Sequence, residues 1–186
     1  MKQLNTKCEK CPDLVHSRKL YPFGKPTWGY GKSPCEIIFI GEAPGKWGCG
    51  VTGIPFTKDR SGQFFQECLA ACGLTKEDVY VTNIVKCCPE NNRTPYPTEV
   101  TNCEKYLTQE IEEVNPTYII PLGAPATHFF IAGGMKILVV GVYEWEERII
   151  LPLYHPAYAL RMGGMKEYKE DFKFRIQMIQ QLEGKL

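Results

Sequence analysis

The stretch 37–62, IIFIGEAPGKWGCGVTGIPFTKDRSG, decides the fold. It begins with a continuous apolar run, which is typical of a strand buried on both faces of a parallel sheet. A glycine-rich loop follows at once, and open α/β sheets hold ligands where such loops leave the carboxyl ends of strands. Glu42 is the first polar side chain beyond the strand, Phe56 lies in the loop, and Ser61 opens a predicted helix. The stretch therefore predicts the floor and one wall of a ligand pocket.

The composition of the whole chain narrows the class of protein. Its 186 residues suffice for a sizeable core, and we expect a single domain over 1–186. The net charge of +1 gives no global positive field, so nucleic-acid binding would need a local basic patch. Residues 1–12 lack the apolar core of a signal peptide, and no apolar run approaches the ~18 residues of a membrane helix. We therefore expect a cytoplasmic protein without a membrane segment.

Nine cysteines are many for a chain of this length. Their odd number and the lack of a secretory signal favour metal or cluster ligation over disulfides. Cys8 and Cys11 form a two-ligand hook in a polar segment, and Cys87 and Cys103 form a wider pair with fifteen residues between them. Cys88 competes with Cys87 for the third position. Four thiolates suit zinc or an iron–sulfur cluster, and composition does not separate the two.

Apolar runs and helical periodicities alternate along the chain. We predict strands at 36–40, 79–85, 118–122, 137–143 and 148–154. We predict helices at 61–72 and 98–114, a short helix from Pro125, and a last helix at 166–182. Residues 1–35 are interpreted as an ordered loop that carries the first two cysteines. The alternation predicts an α/β fold, a three-layer α/β/α sandwich around a mainly parallel sheet.

Three polar residues fall at the predicted strand ends. Glu42, Asn83 and His155 are far apart in sequence, but parallel strands would bring them to one edge of the sheet. An amide is donor and acceptor at once, so Asn83 matches the edge of uracil, although a loop-bracing role fits it equally well. A neutral His155 could donate a hydrogen bond to a developing oxyanion. His16 and His128 are interpreted as structural.

Several short motifs then occur in a fixed order. They are GEAPG (41–45), PF and SG (55–56, 61–62), TNIVKC with NNRTP (82–87, 91–95) and YHPAYALR (154–161). Together with the spaced cysteines, they resemble the iron–sulfur uracil-DNA glycosylases called family 4. The resemblance implies a central four-stranded parallel sheet and removal of uracil from DNA by base flipping. It also implies a [4Fe–4S] cluster on Cys8, Cys11, Cys87 and Cys103, with zinc as the alternative, which would pin the loop 1–35.

The same resemblance assigns roles to individual residues. Glu42 would lie near the base or the attacking water, Asn83 would read the uracil edge, and His155 would stabilise the departing uracil anion. Phe56 would stack on the base, and Leu160 would act as the wedge in the duplex. The other substrate-binding positions would be Gly41, Ala43, Pro44, Gly45 and Ser61. Phosphate contacts are predicted for Lys86, Arg93 and Arg161, against the alternative of solvated surface charges.

The segment 46–50, KWGCG, departs from the acidic run that is usual in family 4. The spacing from 43 to 62 resembles the sister family 5, so a wider range of deaminated bases is a second interpretation. A third is a non-catalytic protein that binds uracil or damaged DNA on the same fold. The partner expected in each case is DNA containing uracil, and we expect a monomer.

Overall fold

The computed structural model describes residues 7–183. The interpretation of the amino terminus as no signal peptide, and both ends of the predicted domain, rest partly on residues outside this range. Six strands form one sheet. They are β1 (Tyr30–Gly31), β2 (Ile37–Gly41), β3 (Tyr80–Asn83), β4 (Tyr118–Pro121), β5 (Tyr143–Trp145) and β6 (Arg148–Ile150).

The sheet has the order β1-β3-β2-β4-β6-β5. The four central strands, β3, β2, β4 and β6, are parallel to one another. The short edge strands β1 and β5 pair antiparallel with β3 and β6. The predicted α/β class and the parallel four-stranded centre are confirmed, and the expected strand number is corrected from four to six.

Eight α-helices surround the sheet within residues 7–183. They are α1 (Pro12–Arg18), α2 (Cys49–Thr52), α3 (Arg60–Ala70), α4 (Pro97–Val114), α5 (Ala124–Phe130), α6 (Met135–Leu138), α7 (Pro156–Met162) and α8 (Met165–Glu183). A 3₁₀ turn, Glu90–Asn92, lies before α4.

Two sequence predictions are wrong locally. The apolar run 137–143, predicted as a strand, contains the end of α6, since a short apolar run does not distinguish a strand from a buried turn of helix. The predicted loop 1–35 contains α1 and β1. A proline in the first turn of α1 supplies a fixed backbone angle where a helix needs no N–H donor.

The two faces of the sheet bury different apolar clusters. Successive residues of β2 alternate, so Phe39 packs with Phe65 of α3 and Phe172 of α8, at ring-centroid distances of 5.1 and 5.4 Å. Ile38 and Ile40 face the other side, in the cluster that contains residues of α4. The three predicted layers are therefore confirmed. In the described part of the chain, no helix has the length and apolar character needed to cross a membrane.

Candidate active site

The cavity at the carboxyl edge of the sheet has two compartments. An outer groove of about 510 Å³ is lined by residues that follow β2 and β4, and by residues at and near the start of α7. An inner cavity of about 60 Å³ lies deeper, and Phe56 and Asn83 reach only this compartment. Residues shared by both cavities are Ala43, Gly45, Asp59, Ser61 and His155. The two compartments therefore form one site, which opens to the surface through the groove.

Asn83 is the last residue of β3 and pairs in register with Gly41 at the end of β2. Its side chain is buried and lines the inner cavity. A Cβ on Gly41 would lie 2.5 Å from the Asn83 Oδ1 atom and 3.1 Å from the Phe56 ring. The first residue of the GEAPG motif is therefore glycine because the amide and the ring both need that space.

Phe56 is held in an unusual backbone conformation. Its φ angle is +50°, a left-handed value that costs a residue other than glycine ~1–3 kcal/mol. The surrounding structure fixes it: Gln66 donates to its carbonyl oxygen at 2.9 Å, and a Cβ on Gly62 would lie 2.6 Å from its carbonyl carbon. Its ring lies 5.6 Å from the imidazole of His155. This strain places a flat apolar surface beside the two polar residues of the inner cavity.

His155 caps the amino end of helix α7, shortly beyond the carboxyl end of β6. Its Nδ1 atom accepts a hydrogen bond from the backbone N–H of Ala157 at 3.1 Å. Burial lowers the pKa of His155 to about 4, against a raising effect of Asp59, while Arg161 lowers it further. The ring is therefore neutral at physiological pH, and with Nδ1 as acceptor its proton lies on Nε2.

Glu42 follows β2 directly and lines the outer groove. Burial raises its pKa, and a hydrogen bond with the side chain of Thr94 opposes that shift. The buried Oε1 atom has no hydrogen-bond partner among residues 7–183. An unsatisfied buried carboxylate oxygen is costly unless a ligand or a water molecule completes it. Glu42 is therefore a group with spare acceptor capacity at the wall of the groove.

Asp59 is a site residue that the sequence interpretation missed. It caps α3, so the helix begins at Arg60 rather than at the predicted Ser61. Its Oδ1 atom accepts from the Ser61 hydroxyl at 2.9 Å and from the Gly62 N–H at 2.7 Å. A Cβ on Gly48 would lie 2.4 Å from Oδ2. An aspartate just before a predicted helix is a capping signal, which would have placed it at this edge.

Lys86, predicted to contact phosphate, is buried in the structure. Only 1% of the residue is exposed, and its ammonium group forms an ion pair with Glu110 of α4. It also donates to the Thr82 hydroxyl at 2.8 Å and to the Asn83 carbonyl oxygen at 2.6 Å. Lys86 therefore braces the end of β3 from behind the pocket.

The other predicted DNA contacts lie near the mouth of the groove. Arg161 is exposed and Arg93 is half-buried, and both line the groove. The guanidinium of Arg93 already makes a bidentate ion pair with Glu99, at 2.7 and 2.8 Å. Leu160 is half-buried and packs against the core. Arg161 is therefore the predicted phosphate ligand with the most accessible charge.

The predicted metal-binding cysteines gather on the α4 side of the sheet. Cys87 and Cys103 are buried, and Cys8 and Cys11 pack against the same apolar cluster. Arg18 donates to the Cys87 sulfur and Asn102 to the Cys11 sulfur, each at 3.4 Å. Over residues 7–183, no group of three or more His, Cys, Asp or Glu side chains is arranged to hold a metal ion.

Cys88 lies away from those four cysteines. A Cβ on Gly50 would lie 3.2 Å from the Cys88 sulfur, which places that thiol against the loop of the pocket. Cys87, Cys8, Cys11 and Cys103 all belong to or border one apolar cluster, and Cys88 is not among the residues of that cluster. The structure thus groups Cys87, and not Cys88, with the other three predicted ligands.

Comparisons with known proteins agree with this geometry. The profile of the "Uracil DNA glycosylase superfamily" matches residues 28–183. A type-4 uracil-DNA glycosylase of Archaeoglobus fulgidus is 37% identical, over 89% of this chain and 85% of its own length. One of Thermotoga maritima is 38% identical, over 83% of this chain and 79% of its own length.

Similarity to the sister family is weaker. A type-5 uracil-DNA glycosylase of Pyrobaculum aerophilum is 32% identical, over 62% of this chain and 61% of its own length. The resemblance to family 4 inferred from the motifs is thereby confirmed, and a type-5 enzyme matches as well. The chain belongs to the uracil DNA glycosylase superfamily.

Proposed function

We propose that the protein hydrolyses the N-glycosidic bond of uracil in DNA and leaves an abasic site. One observation carries this proposal. An amide, an aromatic ring and a neutral imidazole, from Asn83, Phe56 and His155, converge on one inner cavity at the carboxyl edge of the sheet. A planar base with two carbonyl groups and an N–H group offers partners for all three.

The depth of the cavity requires that the base leave the helix. Enzymes that act on a base rotate it out of the stack, at a cost of a few kcal/mol. In the inner cavity the base would stack on the Phe56 ring, and the Asn83 amide would donate to one carbonyl and accept from the neighbouring N–H. Cytosine presents an amino group and a bare nitrogen at these positions, so the amide held in this orientation favours uracil.

The leaving group is stabilised by His155. Breaking the bond between C1′ and N1 leaves both electrons on the base, as an anion spread over the ring and its carbonyl oxygens. The Nε2–H of a neutral imidazole can donate to one of those oxygens, and one such donor contributes ~3 kcal/mol to transition-state stabilisation. The lowered pKa of His155 keeps it a hydrogen-bond donor and not an acid.

The attacking water is positioned by a carboxylate. The water oxygen forms the new bond to C1′, and one of the two water protons passes to that carboxylate. Glu42 has a free, buried Oε1 atom at the groove. Asp59 lines both compartments, but its Oδ1 atom is occupied by Ser61 and Gly62. We assign the positioning of the water to Glu42. Asp59 adds a second negative charge, which stabilises the positive charge that develops on the sugar.

We further propose that Cys8, Cys11, Cys87 and Cys103 hold a [4Fe–4S] cluster. The four cysteines belong to or border one apolar cluster on the α4 side of the sheet, and four thiolates are the ligand set of a [4Fe–4S] cluster. The N–H donors from Arg18 and Asn102 would stabilise thiolate ligands. The cluster would supply a structural cross-link between the amino-terminal segment and 87–103.

The experiment that tests the function is base release from oligonucleotides that carry uracil, hypoxanthine, xanthine or thymine at one position. Release of free uracil with an abasic product supports the proposal. Tight binding of uracil DNA without any base release would support the non-catalytic alternative instead. Release of hypoxanthine or xanthine at comparable rates would establish the wider substrate range that the type-5 spacing indicates. The expectations of a monomer and a cytoplasmic location stay predictions.

A further inference from the structure

Trp47 is the most exposed aromatic side chain near the groove. It is 68% exposed, and it stands in the turn 45–50 that leaves the wall of the cavity. The turn is held tightly, because the N–H groups of Gly48 and Gly50 both donate to the carbonyl oxygen of Gly45, at 3.2 and 2.8 Å. Gly45 lines both compartments of the site. Trp47 is therefore fixed a short distance from the entrance.

Lys46 ties this turn to a second wall of the groove and adds a positive charge. Its backbone N–H donates to Asn92 Oδ1 at 2.8 Å, and Asn92 lines the groove. Its ammonium group lies 5.3 Å from the centre of the Trp47 ring. An indole with a cation beside it is thus presented to solvent at the rim, anchored on two sides of the site.

The indole of Trp47 is not part of the lining of the groove or of the inner cavity. Phe56 already provides the stacking surface for the base in the inner cavity, where Trp47 is not among the lining residues. Packing against another protein is also a poor fit, because the other residues of the turn 45–50 are Lys46, glycines and the buried Cys49, which form no exposed apolar patch. A nucleobase joined to a phosphate fits both groups, since bases stack on aromatic rings and cations attract the backbone.

We propose that Trp47 is a stacking platform for an unpaired base that neighbours the flipped nucleotide on the same strand, with Lys46 beside its phosphate. The inference deepens the proposed function, on which it rests for the identity of the nucleotide in the cavity. A base within an intact duplex already stacks on its neighbours, so the platform serves single-stranded or locally opened DNA. The segment 46–50, which differs from the usual family 4 sequence, would thus favour single-stranded over duplex DNA.

The first test measures binding of a single-stranded oligonucleotide without uracil, and of the matching duplex, by fluorescence anisotropy. Base–aromatic stacking predicts that Trp47→Ala weakens single-strand binding about 5- to 150-fold, while Trp47→Phe restores most of it. Duplex binding changes less than about twofold. The matched control is Phe174→Ala, which removes an aromatic side chain that is 65% exposed on α8, and it leaves both affinities unchanged.

The second test locates the stacked base. A single-stranded oligonucleotide receives one baseless tetrahydrofuran residue at each position next to the uracil in turn. At one position, loss of the base weakens binding to the wild type and leaves binding to Trp47→Ala unchanged. If no position shows this dependence, or if Trp47→Ala weakens single-strand and duplex binding equally, the proposal is overturned. If the wild type releases no uracil and Trp47→Ala still loses single-strand affinity, the proposed function fails and the platform stands.

Discussion

Buried carboxylates at the carboxyl edge of the sheet and in the layer directly behind it differ in how fully their oxygens are hydrogen-bonded. At the edge, Glu42 keeps a buried oxygen without a partner among residues 7–183. Behind it, Glu110 accepts from the Gly29 N–H at 2.6 Å and from the Thr82 hydroxyl at 2.6 Å, and it is paired with Lys86. Glu42 at the edge keeps an acceptor oxygen for a ligand. Glu110 behind the edge uses its oxygens in hydrogen bonds and an ion pair that hold the strands in place.

The two regions meet at Asn83. Its side chain lines the inner cavity, and its backbone carbonyl oxygen accepts a hydrogen bond from the Lys86 ammonium group at 2.6 Å. The position of Asn83, which is proposed to bind the base, therefore depends on the buried ion pair of Lys86 and Glu110 behind the cavity. The difference teaches that a variant at the edge can lose activity and keep its stability, whereas a variant that breaks the ion pair is expected to lose stability and to disturb Asn83 as well.

The largest expected effect comes from breaking the ion pair. Lys86→Met leaves Glu110 buried and unpaired, and removing one partner of a buried pair costs ~3–5 kcal/mol of unfolding free energy. The double variant Lys86→Met with Glu110→Leu recovers a large part of this loss, because two apolar groups need no charge compensation. Denaturant unfolding of the wild type, both single variants and the double variant measures the coupling.

The same variants test the corrected role of Lys86. If Lys86 contacted DNA phosphate after all, Lys86→Met would keep its stability and would reduce the salt dependence of DNA binding by about one unit of slope. A stable Lys86→Met protein with that weaker salt dependence would contradict the buried position of the ammonium group.

At the edge we expect the reverse pattern. His155→Ala removes the donor to the departing anion, so kcat falls about 100-fold, which corresponds to ~3 kcal/mol. Its unfolding free energy falls by only ~1 kcal/mol, because the Nδ1 bond to the Ala157 N–H is a single helix cap. Single-turnover base release and denaturant unfolding on the same preparations check both expectations. A variant that lost stability but kept its rate would reverse the assignment of the two regions.

The state of His155 also predicts a dependence on pH. Its folded pKa of about 4 lies below the usual 6.5, so between these values the unfolded chain binds a proton that the native protein does not. The unfolding free energy contributed by this group therefore falls as pH drops from 6.5 to about 4, by up to ~1.4 kcal/mol per unit, and is flat above 6.5. The comparison of wild type with His155→Ala across this window isolates the effect. Base release should show no step near pH 6.5, and a loss of activity centred there would contradict a neutral imidazole.

The sequence predicted the residues at the carboxyl edge of the sheet far better than the contacts in the layer behind that edge. Glu42, Asn83 and His155 lie at the end of an apolar strand or shortly beyond it. Because parallel strands end at one edge of the sheet, the local sequence pattern was enough to predict that these residues share one site. The fate of Lys86 depended on Glu110, which lies on a helix 24 residues away, and charge alone does not reveal such a partner. The edge strands β1 and β5 have two and three residues, too few to show an alternating pattern.

The smallest effect separates the cap at Asp59 from its charge. Asp59→Ala removes the acceptor for the Gly62 N–H and costs ~1 kcal/mol of unfolding free energy, while Asp59→Asn keeps an acceptor and costs almost nothing. If the negative charge stabilises the positive charge that develops on the sugar, both variants lower the rate of base release, although only one is less stable. A matched Glu42→Gln variant, which changes the group assigned to the water, lowers that rate further. Thermal unfolding and single-turnover rates of the three variants decide the matter, because a rate that followed stability alone would leave Asp59 as a helix cap and nothing more.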